Sequence, residues 1–246
     1  MVTDIFITSW KRIHFTKMVI NYIHERTMKG TFKIHILDNE STSETRQILN
    51  GLLDMGMLES VLYHRQNTRC LWGKAVFQAM VSDSSKYYVV TDNDIEPPKL
   101  PDKDWLQSMI DIMDSRPDIA MLTPQFPPVN LSEPIRQEGD IILCKAVGNA
   151  FKMTRRNAYP DYPQHMDSFG DDGMISALLW TNGYKVAFCS DIFCRHIGQT
   201  ENWGYKPEEI ALDPRKSGYG PPFIYEPEDP LTLRPPEYLR YREVKI

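Results

Sequence analysis

The chain of 246 residues is 41% hydrophobic and 25% charged, with a formal net charge of −5. That length allows one large α/β domain or two small ones around a substantial core. The acidic balance disfavours a broad non-specific nucleic-acid surface, and no apolar run reaches membrane-spanning length.

The N-terminus lacks a signal peptide's basic-then-apolar order, so the expected location is the cytoplasm, alone or as one catalytic piece of an assembly. Cys70, Cys144, Cys189 and Cys194 form no Cys-x-x-Cys pair and lie in or beside apolar runs, which predicts reduced core thiols.

Asp4 to Trp10 reads as a first strand ending in small polar residues. A helix is predicted over Phe15 to Arg26, with Phe15, Val19, Tyr22 and Ile23 on one buried face. Phe32 to Leu37 is a second strand, closed by Asp38-Asn39-Glu40-Ser41-Thr42, where Ser41 or Thr42 can cap the next helix. Ile48, Leu49, Leu52 and Leu53 give that helix its apolar stripe. A third strand near Ser60 to His64 leads through a polar loop, Arg65 to Arg69, into a helix over about Leu71 to Val81.

Tyr87 to Thr91 is then a short buried strand. It stops on Asp92-Asn93-Asp94, and Pro97-Pro98 forbid it from running on. The alternation of strand and helix predicts an α/β fold with a doubly wound, mostly parallel sheet. Right-handed crossovers place Thr8–Trp10, Asp38–Asn39 and Asp92–Asp94 along one edge, where ligands bind in such sheets. Two close carboxylates repel each other unless a cation joins them, and an oxygen-rich pair suits Mg²⁺ or Mn²⁺. A solvated Asx turn at a strand end is the plain structural alternative. No glycine-rich phosphate loop follows the first strand, which excludes a dinucleotide-binding fingerprint and a Walker loop.

Trp105 to Ser115 is predicted helical, Ile119 to Thr123 a strand, and Gln125 to Glu138 a proline-rich loop. Ile141 to Cys144 and Gly148 to Met153 are expected strands, with Arg155-Arg156 as a solvated helix start or a phosphate contact. Asp171-Asp172 open a helix striped with Met174, Ile175, Leu178 and Leu179, which Gly183 ends. Helix-dipole stabilisation explains such carboxylates structurally; a general base at a site wall is the functional alternative. Tyr184 to Phe188 and Ile192 to Arg195 read as short strands, and His196, as a lone histidine, reads locally as structural. From Gly198 onward the chain is rich in proline and aromatic residues and mixed in charge, an irregular arm rather than a second core.

The order of these motifs resembles the GT-A glycosyltransferases, specifically the inverting family 2, over residues 3 to 197. Asp38-Asn39-Glu40-Ser41-Thr42 is similar to that family's nucleotide loop, Asp92-Asn93-Asp94 to its Asp-x-Asp motif, Phe151 to Arg156 to the strand and basic turn before its acceptor region, and Asp171-Asp172 to its Glu-Asp catalytic motif. No Gln-x-x-Arg-Trp motif of the processive polymer synthases occurs.

The resemblance implies a glycosyltransferase domain over 1–197, with a nucleotide-binding half (1–98) and an acceptor half (99–197) carrying a smaller mixed sheet; by its composition the arm over 198–246 is expected to pack on the same domain. It implies Mn²⁺ or Mg²⁺ held by Asp92, Asp94 and His196, and donor contacts from Thr8, Trp10, Asp38, Arg69, Asp92 and Asn93. Asp172, seconded by Asp171, takes the catalytic-base place. The implied donor is a nucleoside-diphosphate sugar, with a UDP-sugar favoured. The acceptor is a hydroxyl of a glycan, lipid, protein or hydroxylated DNA base, and the arm leaves room for a homodimer. A nucleotidyltransferase of related fold and a non-catalytic nucleotide-sugar-binding module are the alternatives.

Overall fold

In a computed structural model the chain is described over residues 2–39, 41–64, 81, 84–126, 134–148, 150–158 and 171–198, with the backbone alone at Asp171, Asp172 and Met174. The expected loop 65–69, residues 71–80 of the expected helix 71–81, Arg69, Cys70 and the C-terminal arm beyond Gly198 lie outside the described residues.

The elements are β1 (Thr3–Ser9), α1 (Ile13–Arg26), β2 (Phe32–Asn39), α2 (Ser43–Asp54), β3 (Ser60–His64), β4 (Tyr87–Asp92), β5 (Ile95–Glu96), α3 (Trp105–Ser115), β6 (Ile119–Gln125), β7 (Pro134–Glu138), β8 (Ile141–Cys144), β9 (Phe151–Arg155), a 3₁₀ turn (Arg156–Ala158), α4 (Asp171–Thr181), β10 (Lys185–Phe193) and β11 (Arg195–His196). Thr42 caps α2, its Oγ1 accepting from Thr45 N, and Asp104 caps α3 by accepting from Leu106 N at 2.8 Å.

A nine-stranded sheet runs in the order β3-β2-β1-β4-β9-β6-β10-β8-β7. The pairs β1–β2, β1–β4, β2–β3 and β6–β10 are parallel, while β9 and β8 run against their neighbours. The central strands are apolar because both faces are covered: Ile5, Ile7, Val89 and Tyr87 are completely buried. One core gathers Val19, Ile20 and Ile23 of α1, Leu49 and Leu52 of α2, and Trp105, Leu106 and Met109 of α3 against the strands. Ile175 and Leu179 of α4 pack in a second cluster with Ala120, Met121, Val147 and Val186. Cys144, Cys189 and Cys194 are buried free thiols, as expected, and burial pushes Cys189 and Cys194 above their ordinary range.

Several details depart from the sequence reading. Pro134–Glu138 is an edge strand paired with β8, not loop, since exposed polar residues serve well on a sheet edge. The two strands expected around Phe188 and Ile192 are one, β10, whose pairing with β6 is interrupted between Phe188 and Phe193. The mixed strands of the second half join the main sheet, and the smaller sheet is an antiparallel ribbon of β5 and β11.

Arg155 is neither a solvated helix start nor a phosphate contact. Its guanidinium donates to the carbonyls of Ile119, Met113 and Arg116 and to Tyr87 Oη, tying β9 to the end of α3.

Candidate active site

The strand order reverses between β1 and β4: β2 and β3 lie to one side of β1, and β4 to the other. A crevice opens at such a switch point, outside the carboxyl ends of the strands. The register sets Thr8 beside Asp92 on one flank of β1 and Ser9 beside Asp38 on the other. Two strand spacings therefore separate the Asp38 and Asp92 tips, about 10 Å. The convergence expected from the sequence is present.

At the β2 tip, Asp38 is fully buried, and its Oδ2 accepts from Ser41 N at 3.2 Å. Among the described residues its Oδ1 has no hydrogen-bond partner. Burial pushes the carboxyl above its ordinary range, against the hydrogen bonding of Ser41 and the charge of Arg46. Ser41 Oγ in turn accepts from Lys11 N at 3.0 Å, which ties the turn after β1 to the loop after β2. Trp10 is buried at the same tip, with Lys11 Nζ 4.8 Å from its ring centroid.

At the β4 tip, Thr8 Oγ1 donates to Asp92 Oδ1 at 2.9 Å. Burial, and then the negative charge of Asp94, push the Asp92 carboxyl up to about 6. Asp94 is also buried, but His196 and Arg12 outweigh that and hold its carboxyl below the usual range. Arg12 Nη1 donates to Asp94 Oδ2 at 2.7 Å, and His196 Nε2 stands 3.2 Å from the same oxygen.

Asn93 turns its amide into the wall of the site, where its Oδ1 accepts from Arg12 Nη2 at 3.0 Å and its Nδ2 donates to Thr16 Oγ1 at 3.0 Å. That engagement makes it a support of the turn.

The β5–β11 ribbon brings His196 to Asp94 across 102 positions of sequence. His196 pairs with Ile95 and Arg195 with Glu96. Glu96 accepts from Arg26 Nη2 at 2.5 Å and from Arg195 Nε at 2.6 Å, which clamps the ribbon to α1. Ile197 N donates to Asp94 O at 2.9 Å, and Gly198 follows directly over the carboxylate. A Cβ at Gly198 would stand 2.1 Å from Asp94 Oδ2, so only glycine fits there. Arg12 and Gly198 were not singled out from the sequence. A His-x-Gly after a strand was the available signal for Gly198; Arg12 had none beyond following a strand tip.

The strand connections point the start of α4 toward the same edge. β8 ends beside Val186, at the amino edge, and β9 begins beside Thr91, at the carboxyl edge, so the chain crosses from one edge to the other between these two strands. Val147, on the β8 side of that crossing, donates through its N–H to Ser176 Oγ at 3.3 Å. Asp172 lies four residues before Ser176, about 6 Å further toward the carboxyl edge at the helical rise. Asp171 and Asp172 form the first turn of α4, as read from the sequence.

The donor types at the tip, two carboxylates and one imidazole, fit a hard divalent ion. Among the described residues no three His, Cys, Asp or Glu side chains already stand as a ligand cage. Instead, the positive charge resting on Asp94 is that of Arg12.

The Glycosyl transferase family 2 model matches residues 4–179. No curated protein matches. The fold is similar to that of S. aureus TarS residues 1–349, with TM-score 0.59, 13% identity, and coverage of 88% of this chain and 65% of that one. It is also similar to the mannosyltransferase PcManGT from Pyrobaculum calidifontis, solved with GDP-Man and Mn²⁺, with TM-score 0.57, 13% identity, and coverage of 85% and 60%. The chain thus spans less than two thirds of the length of these neighbours. Among the described residues, no helix is long and apolar enough to cross a membrane. With its family 2 match over most of its length and its GT-A-type α/β sheet, the chain belongs to glycosyl transferase family 2.

Proposed function

We propose that the chain transfers a sugar from a nucleoside-diphosphate sugar, favouring UDP, to an acceptor hydroxyl, with inversion and with a divalent cation bound at the β4 tip. The observation that carries this reading is the placement of two unlike acidic stations on either flank of β1. Asp38 offers an unpartnered buried oxygen, and the Asp92–Asp94 pair offers concentrated negative charge.

A buried acceptor without a donor is costly, and the ring N–H of a uracil-type base supplies what Asp38 Oδ1 lacks. Trp10 and Thr8 border the space between the stations, and Arg69, outside the described residues, is assigned to base or phosphate. Asp94, Asp92 and His196 would hold Mn²⁺ or Mg²⁺. When bound, such an ion offsets the charge that develops on a departing diphosphate. A TarS structure contains UDP-GlcNAc and the PcManGT structure contains GDP-Man with Mn²⁺, which supports a nucleotide-sugar donor of this kind.

Asp172 at the start of α4 takes the proton of the acceptor hydroxyl as its oxygen attacks the anomeric carbon. One displacement inverts that centre, with no covalent enzyme intermediate. General-base assistance is worth about 10² to 10⁴ in rate, so Asp172→Asn should lower kcat by that factor while UDP affinity stays unchanged. Steady-state transfer assays beside calorimetric UDP titration check this, and undiminished turnover in the variant would refute the role. The acceptor class, whether glycan, lipid, protein or hydroxylated DNA base, is open to the same assay with each hydroxyl in turn.

A further inference from the structure

Arg12 is the residue at the strand tips that the chemistry above does not use. Its guanidinium bridges the Asp92–Asp94 turn: Nη1 donates to Asp94 Oδ2 at 2.7 Å and Nη2 to Asn93 Oδ1 at 3.0 Å. The side chain is only 8% exposed.

The backbone reaches this position at a cost. Lys11 and Arg12 have φ of 53° and 21°, and no other described residue except glycine has a positive φ. Two consecutive left-handed side-chain-bearing residues are strained, and such strain persists only where its surroundings over-determine it. Here Lys11 N is held by Ser41 Oγ, and Arg12 O accepts from Phe15 N at 3.0 Å to open α1. The turn aims the guanidinium back at the strand tip.

A buried ion pair is a poor source of stability, because desolvation offsets most of the attraction. Strain and burial spent on this contact therefore point to use. Asp94 Oδ2 already carries both Arg12 and His196, so a divalent ion cannot take that oxygen while the guanidinium's N–H groups cover it. Something positive must stay on Asp94 whenever the ion is absent, since its neighbour Asp92 adds a repelling charge.

We propose that Arg12 is an exchangeable counter-ion: it neutralises Asp94 in the resting chain, yields that carboxylate to the divalent cation, and turns its guanidinium to the diphosphate that arrives with it. Guanidinium recognises phosphate oxygens with the same paired N–H geometry it offers a carboxylate. The α1 N-terminus, which begins at Arg12, adds its own preference for an anion on that side. This exchange rests on the reading of the Asp92–Asp94 pair as a cation site.

The test is a pair of titrations on the full chain and on Arg12→Gln. Mn²⁺ alone is followed by the electron paramagnetic resonance of the free ion, and UDP at saturating Mn²⁺ by calorimetry. Exchange predicts opposite signs: Mn²⁺ binds about tenfold tighter to the variant because its competitor is gone, and UDP binds about tenfold weaker. A merely structural Arg12 would weaken both, and an unchanged or weaker Mn²⁺ affinity overturns the proposal.

If Arg12→Gln does not fold, the unaltered chain decides. The Arg12 Nε–Hε resonance, assigned by its loss in Arg12→Lys, must shift when Mg²⁺ and UDP are added, and a stationary resonance refutes exchange. The two levels separate cleanly. Unaltered protein that takes up no Mn²⁺ even with UDP defeats the cation reading itself. Normal uptake without tightening in the variant defeats only the exchange.

Discussion

Two polar clusters sit at opposite edges of the same sheet, and they are built to opposite ends. At the amino edge, Asp4, His35, Ser60 and Ser85 are all buried, and they satisfy one another. His35 stands 3.1 Å from Asp4 Oδ1 through Nε2 and 2.8 Å from Ser60 Oγ through Nδ1, while Ser85 Oγ donates to Asp4 Oδ2 and to the Val2 carbonyl. At the carboxyl edge, Asp92 and Asp94 crowd like charges together, Asp38 keeps an unpartnered oxygen, and Arg12 holds a strained turn.

The residue types at the amino edge, a Ser, a His and an Asp in contact, would suggest hydrolytic chemistry if met in a cleft. Burial and mutual satisfaction make them a clasp across β1, β2 and β3 instead. Residue identity does not mark a site; unmet interactions at an opening do.

The largest effect that would sharpen this contrast is at the clasp. Asp4→Ala strips His35 and Ser85 of a buried acceptor and should cost about 3 kcal/mol of folding stability, read by urea unfolding. Affinity for UDP with Mn²⁺, measured at a temperature where the variant is folded, should stay at the unaltered value. A loss of donor affinity without loss of stability would erase the distinction between the edges.

At the other edge the expected pattern reverses. Gly198→Ala drives a Cβ against Asp94 and displaces its carboxylate, so transfer should fall by up to about 10²-fold, the scale of an ångström misplacement. Asp94 Cβ lies 2.7 Å from the same point, so the turn must give along with the carboxylate, and UDP affinity with Mn²⁺ should fall together with transfer. A variant that transfers normally would show that Asp94's position does not matter.

The smallest effect is in pH. The Asp92 carboxyl titrates near 6 in the folded chain against an ordinary 3.8, so the folded state holds this proton more strongly. Its contribution to stability is fully present below about 3.8 and is lost as pH rises through about 6. Without added metal, moving from pH 7 to pH 5 should therefore stabilise the unaltered chain by about 1 kcal/mol relative to Asp92→Asn, in paired denaturant titrations. Parallel pH profiles for the two proteins would contradict the burial of Asp92 and the charge crowded beside it.

Much of the fold was legible in the sequence because period and punctuation agreed. The apolar run Tyr87–Val90 broken by Asp92 and two prolines, and the α2 cap narrowed to Ser41 or Thr42, depend on residues near in sequence. The three strand tips could be placed on one edge because crossover handedness needs no side-chain detail.

What escaped depended on contacts between distant residues. Local sequence alone did not place His196, which looks ordinary among Phe193, Cys194 and Arg195; only the family resemblance set it with Asp92 and Asp94, and its pairing with Ile95 is what brings it to Asp94. Arg155 read as a basic turn until the end of α3 surrounded it with carbonyls. Arg12 left no trace at all, since its role lies in two backbone angles that no residue type announces.

The central claim is that the carboxylates at the β4 tip hold the donor's diphosphate through a divalent cation. Calorimetric titration of UDP into the unaltered chain and into Asp94→Ala, each with Mn²⁺ and with EDTA, tests it most directly. Strong binding is expected in one of the four cases only, the unaltered chain with Mn²⁺. Equal UDP affinity in EDTA, or in Asp94→Ala, would contradict it.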